Sequence, residues 1–209
     1  MNLTEKLNWR YATKRMTSAK VPNEKVDNVL ESIRLAPTSL GFQPFKVFVI
    51  ENQELRNQIF DQACQQPQIK ECSHLLVFAP YKKVTQEQVD TYLKLFAETR
   101  EVSVESLSHF IPMFENIIKQ TENENLIWTS RQAYIALGFG LVAAANEQID
   151  ATPIEGFNPS KLNSILGLDE NNLESVCLLT LGYRNEATDY LFNKKKVRKS
   201  KENLFTFLN

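Results

Sequence analysis

Four short stretches of the chain carry side chains suited to chemistry. Arg10-Tyr11-Ala12-Thr13-Lys14-Arg15 sets guanidinium forks and a point-like ammonium beside hydroxyls, a combination that clamps phosphate. Ala36-Pro37-Thr38-Ser39-Leu40-Gly41-Phe42-Gln43-Pro44 gathers short donors and acceptors around a glycine that lets backbone approach a ligand. A planar ligand with a polar edge would match it. Pro153-Ile154-Glu155-Gly156-Phe157 offers a backbone N–H beside a carboxylate, placed to meet a reactive ring atom. Lys194-Lys195-Lys196-Val197-Arg198-Lys199 is a basic run near the C-terminus. Each stretch also has an ordinary explanation: a solvated basic face, a polar loop, a proline-glycine turn, a charged tail.

Much other chemistry is excluded. Cys64, Cys72 and Cys177 lack the spacing of a disulfide framework or zinc site, and His74 and His109 are the only histidines. There is no G-x-S-x-G, no G-x-G-x-x-G and no G-x-x-x-x-G-K-[ST] motif. Any electrophile is therefore expected from a cofactor. A net charge of −1 gives no overall bias towards nucleic acid, despite the basic tail. The N-terminus has no apolar signal core, and Ala133 to Ala145 is too short to cross a bilayer. The expectation is a cytoplasmic protein with reduced cysteines that binds neither nucleic acid nor membrane.

The elements that must position these residues follow from periodicity. Val26, Val29, Leu30 and Ile33 form one helical stripe, after Val21-Pro22-Asn23-Glu24 and before Pro37. Phe45–Ile50, His74–Ala79 and Ser175–Leu181 read as strands, the first mostly buried. A polar helix is expected over 53–62, one or two helices over 84–122, and a short helix over 160–167. Trp128–Gln148 is expected to be a helix apolar on nearly all sides, with Gly138, Gly140 and several alanines allowing close approach of a neighbour. The apolar end of the tail, Leu204-Phe205-Thr206-Phe207-Leu208, is expected to dock on something. With no repeat or linker, residues 1–209 read as one α+β domain.

Taken together and in order, the stretches resemble the nitroreductase family, FMN-dependent NAD(P)H oxidoreductases that act as homodimers. Arg10–Lys14 is similar to its R-x-[SA]-x-[KR] element, and Ala36–Phe45 to its [AS]-P-[ST]-[ST]-x-x-x-Q-P-[WFY] loop. Gln66-Pro67-Gln68-Ile69 with Ser73–Phe78 resembles a segment of one branch; Pro153–Phe157 resembles P-x-[EG]-G-[FY], and Lys196-Val197-Arg198 the basic pair near the C-terminus. The resemblance implies a central, mostly antiparallel sheet flanked by helices in an intertwined homodimer. It further implies an FMN site at the interface, with Arg10, Lys14, Lys196 and Arg198 on the phosphate and ribityl chain, and Tyr11 and Ala12 alongside. Pro37, Thr38, Ser39, Leu40 and Gln43 would come from the second subunit, and one of Gln65, Gln66 and Gln68 would contact ring or ribityl. Pro153, Ile154, Glu155 and Gly156 would lie near flavin N5, and Lys14 near N1 and O2. NADH or NADPH and then an electron-poor acceptor, such as a nitroaromatic or quinone, would use one pocket in turn by ping-pong hydride transfer. Phe110, Met113 and Phe114 either line that pocket or simply pack. A reductase of enones and a flavin store or sensor without turnover are the alternatives.

Overall fold

The computed structural model describes residues 1–208. Helix α1 (Leu3–Trp9) is set by a capping box: Asn2 accepts from the Glu5 N–H, and Glu5 reaches back to the Asn2 N–H. The other elements are α2 (Asn23–Arg34), β1 (Phe45–Ile50), α3 (Gln53–Gln62), α4 (Pro67–Glu71), β2 (His74–Pro80), α5 (Gln86–Arg100), α6 (Ile111–Lys119), α7 (Glu122–Asn146), β3 (Asp150–Ile154), α8 (Pro159–Leu166), β4 (Cys177–Gly182) and α9 (Lys201–Leu204). A 3-10 segment, Val104–Phe110, separates α5 from α6.

The strands form one antiparallel sheet in the order β1-β2-β4-β3. Alternation along the two central strands divides the core. Leu76, Phe78, Leu179 and Leu181 point to one face, where Val26, Val29 and Ile33 of α2 and the alanines of α7 cover them. Leu75, Val77 and Leu178 point to the other, against Ile59 of α3, Ile69 of α4 and Leu162 of α8. The sheet is thus sandwiched between helical layers, α+β as expected. A third cluster, built on Phe42, Leu93, Leu107 and Phe114, lies under α5 and α6.

Several expectations need correcting. β1 is an edge strand, so it is not mostly buried; Val49 remains 42% exposed. Asp150–Ile154, expected to lead into a turn, is a strand. Pro153 is tolerated there because β3 is also an edge and pairs only with β4. The long helix begins at Glu122, where Thr121 and Glu124 make a capping box of their own. It approaches α2 closely: a Cβ on Gly140 would sit 3.0 Å from Ile33 side-chain carbons. One face of α7 is uncovered in the single chain, with Ile127, Tyr134, Ile135, Phe139 and Val142 exposed, and so are Phe205, Phe207 and Leu208 of the tail. Among the described residues no helix is long and apolar enough to cross a membrane, and no cluster of three His, Cys, Asp or Glu residues has metal-binding geometry.

Candidate active site

Both ends of the chain meet at β3. Residues 10–14 leave α1 without regular secondary structure, with a tight turn closed by the Thr13 N–H on the Tyr11 carbonyl (3.2 Å). The Thr13 carbonyl accepts from Gln68 Nε2 at 3.0 Å and from the Thr152 hydroxyl at 2.9 Å, pinning the segment to α4 and β3. The C-terminal segment returns after β4 and is held by Asp189. Its Oδ2 accepts from Tyr11 Oη (2.9 Å), the Lys14 N–H (2.9 Å) and the Thr13 hydroxyl, while Oδ1 accepts from the Leu191 N–H (2.9 Å). Burial opposes the charge on Asp189. The Thr13, Leu191, Lys14 and Tyr11 donors outweigh it and hold the carboxyl below its ordinary pKa. Burial first, then donation to Asp189, pushes the Tyr11 phenol up to about 12.

The junction encloses a cavity of about 560 Å3, lined by Arg10, Tyr11, Ala12, Lys14, Pro153, Lys196 and Arg198, and by Trp9, Arg184, Lys194 and Lys195. Its charge is lopsided. Arg184 is neutralised by buried Asp150 through Nη2–Oδ1 and Nε–Oδ1 contacts of 2.6 and 2.9 Å, and its guanidinium lies against the Trp9 and Tyr11 rings, 4.4 and 4.6 Å from their centroids. The other cations lining the cavity, Arg10, Lys14, Lys194, Lys195, Lys196 and Arg198, have no carboxylate within ion-pair distance among the described residues. Arg10 Nε is buried without an acceptor among the described residues, while its Nη2 reaches the Ala151 carbonyl at 3.5 Å. Burial, then the Arg198 charge, lowers the Arg10 pKa; burial, then Arg10 and Arg198, lowers that of Lys196. Unpaired cations that repel one another around a cavity make a receptor for a compact anion.

The other expected residues fall in two places. Gln68 is buried and spends its Nε2 on Thr13, leaving Oε1 without a donor. Gln66 Nε2 reaches the Gly156 carbonyl at 3.4 Å, bracing the turn after β3. Ile154 is buried, whereas Glu155 is exposed and accepts from Tyr134 Oη of α7. The Pro37–Gln43 loop lies elsewhere, between α5 and α7. The Ser39 N–H donates to Gln132 Oε1 (2.8 Å), Gln43 Nε2 to the Arg34 carbonyl (2.7 Å), and the Gln43 N–H to the Thr38 hydroxyl (3.3 Å). Leu40 (φ 59°) and Gln43 (φ 50°) are both left-handed there, and Leu40 packs on the aromatic cluster under α5. Within one chain the loop does not line the basic cavity.

Sequence reasoning missed Trp9, Asp150, Arg184 and Asp189. Their roles depend on partners far away in the chain, and nothing local marks them. The N-x-x-E cap at Asn2 was a readable sign that a helix precedes Arg10.

A family model described as "Nitroreductase family" matches residues 7–183. The chain belongs to the nitroreductase family. One relative within reach is the major NAD(P)H-flavin oxidoreductase of Aliivibrio fischeri, 32% identical over 207 residues and covering 95% of both chains. Among solved structures, a chain from Exiguobacterium sibiricum 255-15 in complex with FMN superposes with a TM-score of 0.84 at 18% identity, covering 100% of this chain and 98% of that one. CLA-ER, an enone reductase of gut-bacterial fatty acid saturation, superposes with a TM-score of 0.79 at 15% identity, covering 100% and 98%. Both likenesses are of fold. The match of the family model ends before Lys194–Lys199, so this member's basic tail is supported by its own geometry in the cavity.

Proposed function

We propose that this member of the family is an FMN-dependent NAD(P)H oxidoreductase that reduces nitroaromatics, quinones or similar electron-poor acceptors. One observation carries the reading: half-buried Arg10, with its Nε buried and unpartnered among the described residues, shares with Lys196 and Arg198 a cavity that no neutralising carboxylate lines. A phosphate monoester is the compact dianion that such a cluster suits. The relative from Aliivibrio fischeri is an NAD(P)H-flavin oxidoreductase by name, which directs the choice to FMN with NADH or NADPH as donor.

Arg10, Lys196 and Arg198 would hold the phosphate, and Tyr11, Ala12 and Pro153 would line the ribityl path. Lys14 would offer its ammonium to the pyrimidine edge, where added electron density is stabilised by positive charge. When bound, FMN supplies hydride acceptance and delivery at N5, which is why no general-base motif is required of the chain. The turn after β3 is braced by Gln66 on the Gly156 carbonyl, Tyr134 on Glu155, and a 2.9 Å bond from the Phe157 N–H to the Glu155 carbonyl. These contacts keep the backbone of Glu155 and Gly156 rigid and its N–H groups oriented.

The Pro37–Gln43 loop completes the site from a second subunit. In favour of this stand its separation from the cavity within one chain and the uncovered apolar face of α7, which a homodimer would bury. Free cysteines at 64, 72 and 177 suit a reducing cytoplasm.

The purified protein is expected to be yellow, to release FMN on acid treatment, and to oxidise NADH or NADPH steadily with menadione or a nitrofuran. A colourless protein that takes up no added FMN overturns the reading; bound flavin without turnover makes the chain a store or sensor.

A further inference from the structure

A second cleft, of about 450 Å3, lies between α5 and residues 104–110, lined by Leu40, Gly41, Tyr92, Phe96, Arg100 and Phe110. Its wall is aromatic. Tyr92 meets Phe96 edge-on with centroids 6.1 Å apart, and Phe96 meets Phe110 at 5.5 Å. Such a volume is ample for a substituted benzene ring. The Tyr92 hydroxyl is already engaged, donating to the Leu40 carbonyl, and ties the wall to the loop.

The mouth carries one cation. The Arg100 guanidinium carbon lies 4.3 Å from the Phe96 ring centroid. The Arg100 guanidinium makes no hydrogen bond to any described residue, so its N–H donors stay available to a ligand. No carboxylate among the described residues pairs with Arg100, and the nearby Glu98 faces Lys94 at 3.9 Å. The Arg100 charge also reaches the cleft interior, where it partly offsets the rise that burial imposes on the Tyr92 pKa. An aromatic surface beside an unpaired planar cation is complementary to an aromatic ring bearing a carboxylate.

We propose that this cleft binds aromatic carboxylates, the ring against Phe96 and Phe110 and the carboxylate on Arg100, and that Arg100 selects acidic over neutral aromatic acceptors. The binding stands on the cleft alone; its use as the acceptor site rests on the function proposed above, which puts Leu40 and Gly41 beside the flavin.

The test uses the full-length protein as purified and two isosteric probe pairs. By calorimetry, benzoate is expected to bind more tightly than benzamide. By turnover, 4-nitrobenzoate is expected to have the lower KM relative to 4-nitrobenzamide. Arg100→Ala should reduce the acid-to-amide preference about ten-fold in both measurements, as loss of a charge-assisted contact requires, and Arg100→Lys should restore part of it. Arg100 is at the mouth of the cleft and outside the core, so both variants should fold. Equal binding of benzoate and benzamide, or a preference that survives Arg100→Ala, overturns the proposal. Selective benzoate binding by a protein that takes up no FMN would retain the carboxylate site and sink only the oxidoreductase reading. Turnover without acid preference would do the reverse.

Discussion

Asp189 is the test of how the two chain ends are joined. Its two oxygens accept four hydrogen bonds, from Tyr11, Thr13, Lys14 and Leu191, in a site where the residue is 5% exposed. A hydrogen bond to a charged acceptor contributes about 1.5–3 kcal/mol. In Asp189→Asn one oxygen becomes an NH2. Placed opposite Leu191 it faces another donor, so one bond and the charge are lost and three bonds remain, a cost of about 2 kcal/mol. Asp189→Ala strips all four. Because they share one acceptor the losses are not additive, and about 4 kcal/mol is expected. Urea unfolding followed by circular dichroism reads these values. Quenching of FMN fluorescence reads the second consequence: Lys14 and Arg10 lose their register with Lys196, and FMN affinity falls about ten-fold or more. An Asp189→Ala protein as stable as the parent, with the same FMN affinity, would refute the claim that this carboxylate builds the cavity. The pH dependence has a fixed sign. The folded pKa is depressed, so the contribution is present above the ordinary carboxylate pKa of 3.8 and is lost as pH falls through the folded value.

Arg198 is exposed and among the described residues bonds only its neighbour's carbonyl, so Arg198→Ala should weaken FMN retention while leaving the urea midpoint unchanged. Lys196→Ala should lower both, because Lys196 also donates to the Leu7 and Arg10 carbonyls; equal midpoints in the two variants would contradict these assignments. Tyr134→Phe removes the donor to Glu155 and should cost about 1 kcal/mol in stability while slowing turnover through a looser turn, measurable as a lower kcat with unaltered flavin content. His74 is 3% exposed, with Nδ1 2.9 Å from the Ser73 hydroxyl, and burial lowers its pKa despite Glu51 nearby. The unfolded chain therefore takes up the proton first. Stability should be full above pH 6.5 and fall as the solution is acidified through that value, and the slope should vanish in His74→Gln.

Local patterns made much of this molecule legible. The stripe Val26, Val29, Leu30 and Ile33 gave α2, and short apolar runs rich in β-branched and aromatic residues gave β1, β2 and β4 to within two residues. Such signals survive because burial on one face acts on side chains a fixed few positions apart. β3 was hidden because Pro153 and the short length of Asp150–Ile154 resemble a turn until β4 supplies its partner. Boundaries in 84–122 were lost because Phe96, Phe110 and Phe114 converge on one cluster across separate helices, without a common period.

The chain by itself determined which residue types were available: paired basic groups at both ends, a hydroxyl-rich loop between two prolines, and no nucleophile with a base. It determined the family through their order. The tertiary structure alone decided which of those groups keep an unmet charge. Arg184 and Arg10 carry the same guanidinium, yet Arg184 is paired with Asp150, while Arg10 forms no ion pair among the described residues and shares the cavity with Lys196 and Arg198. Gln68, polar and a candidate flavin contact by sequence, is spent on the Thr13 backbone. The reason is physical: electrostatic attraction and hydrogen bonding act over a few ångströms of space, and chain separations of 34 residues, as between Asp150 and Arg184, or 178, as between Tyr11 and Asp189, are closed only when the sheet assembles.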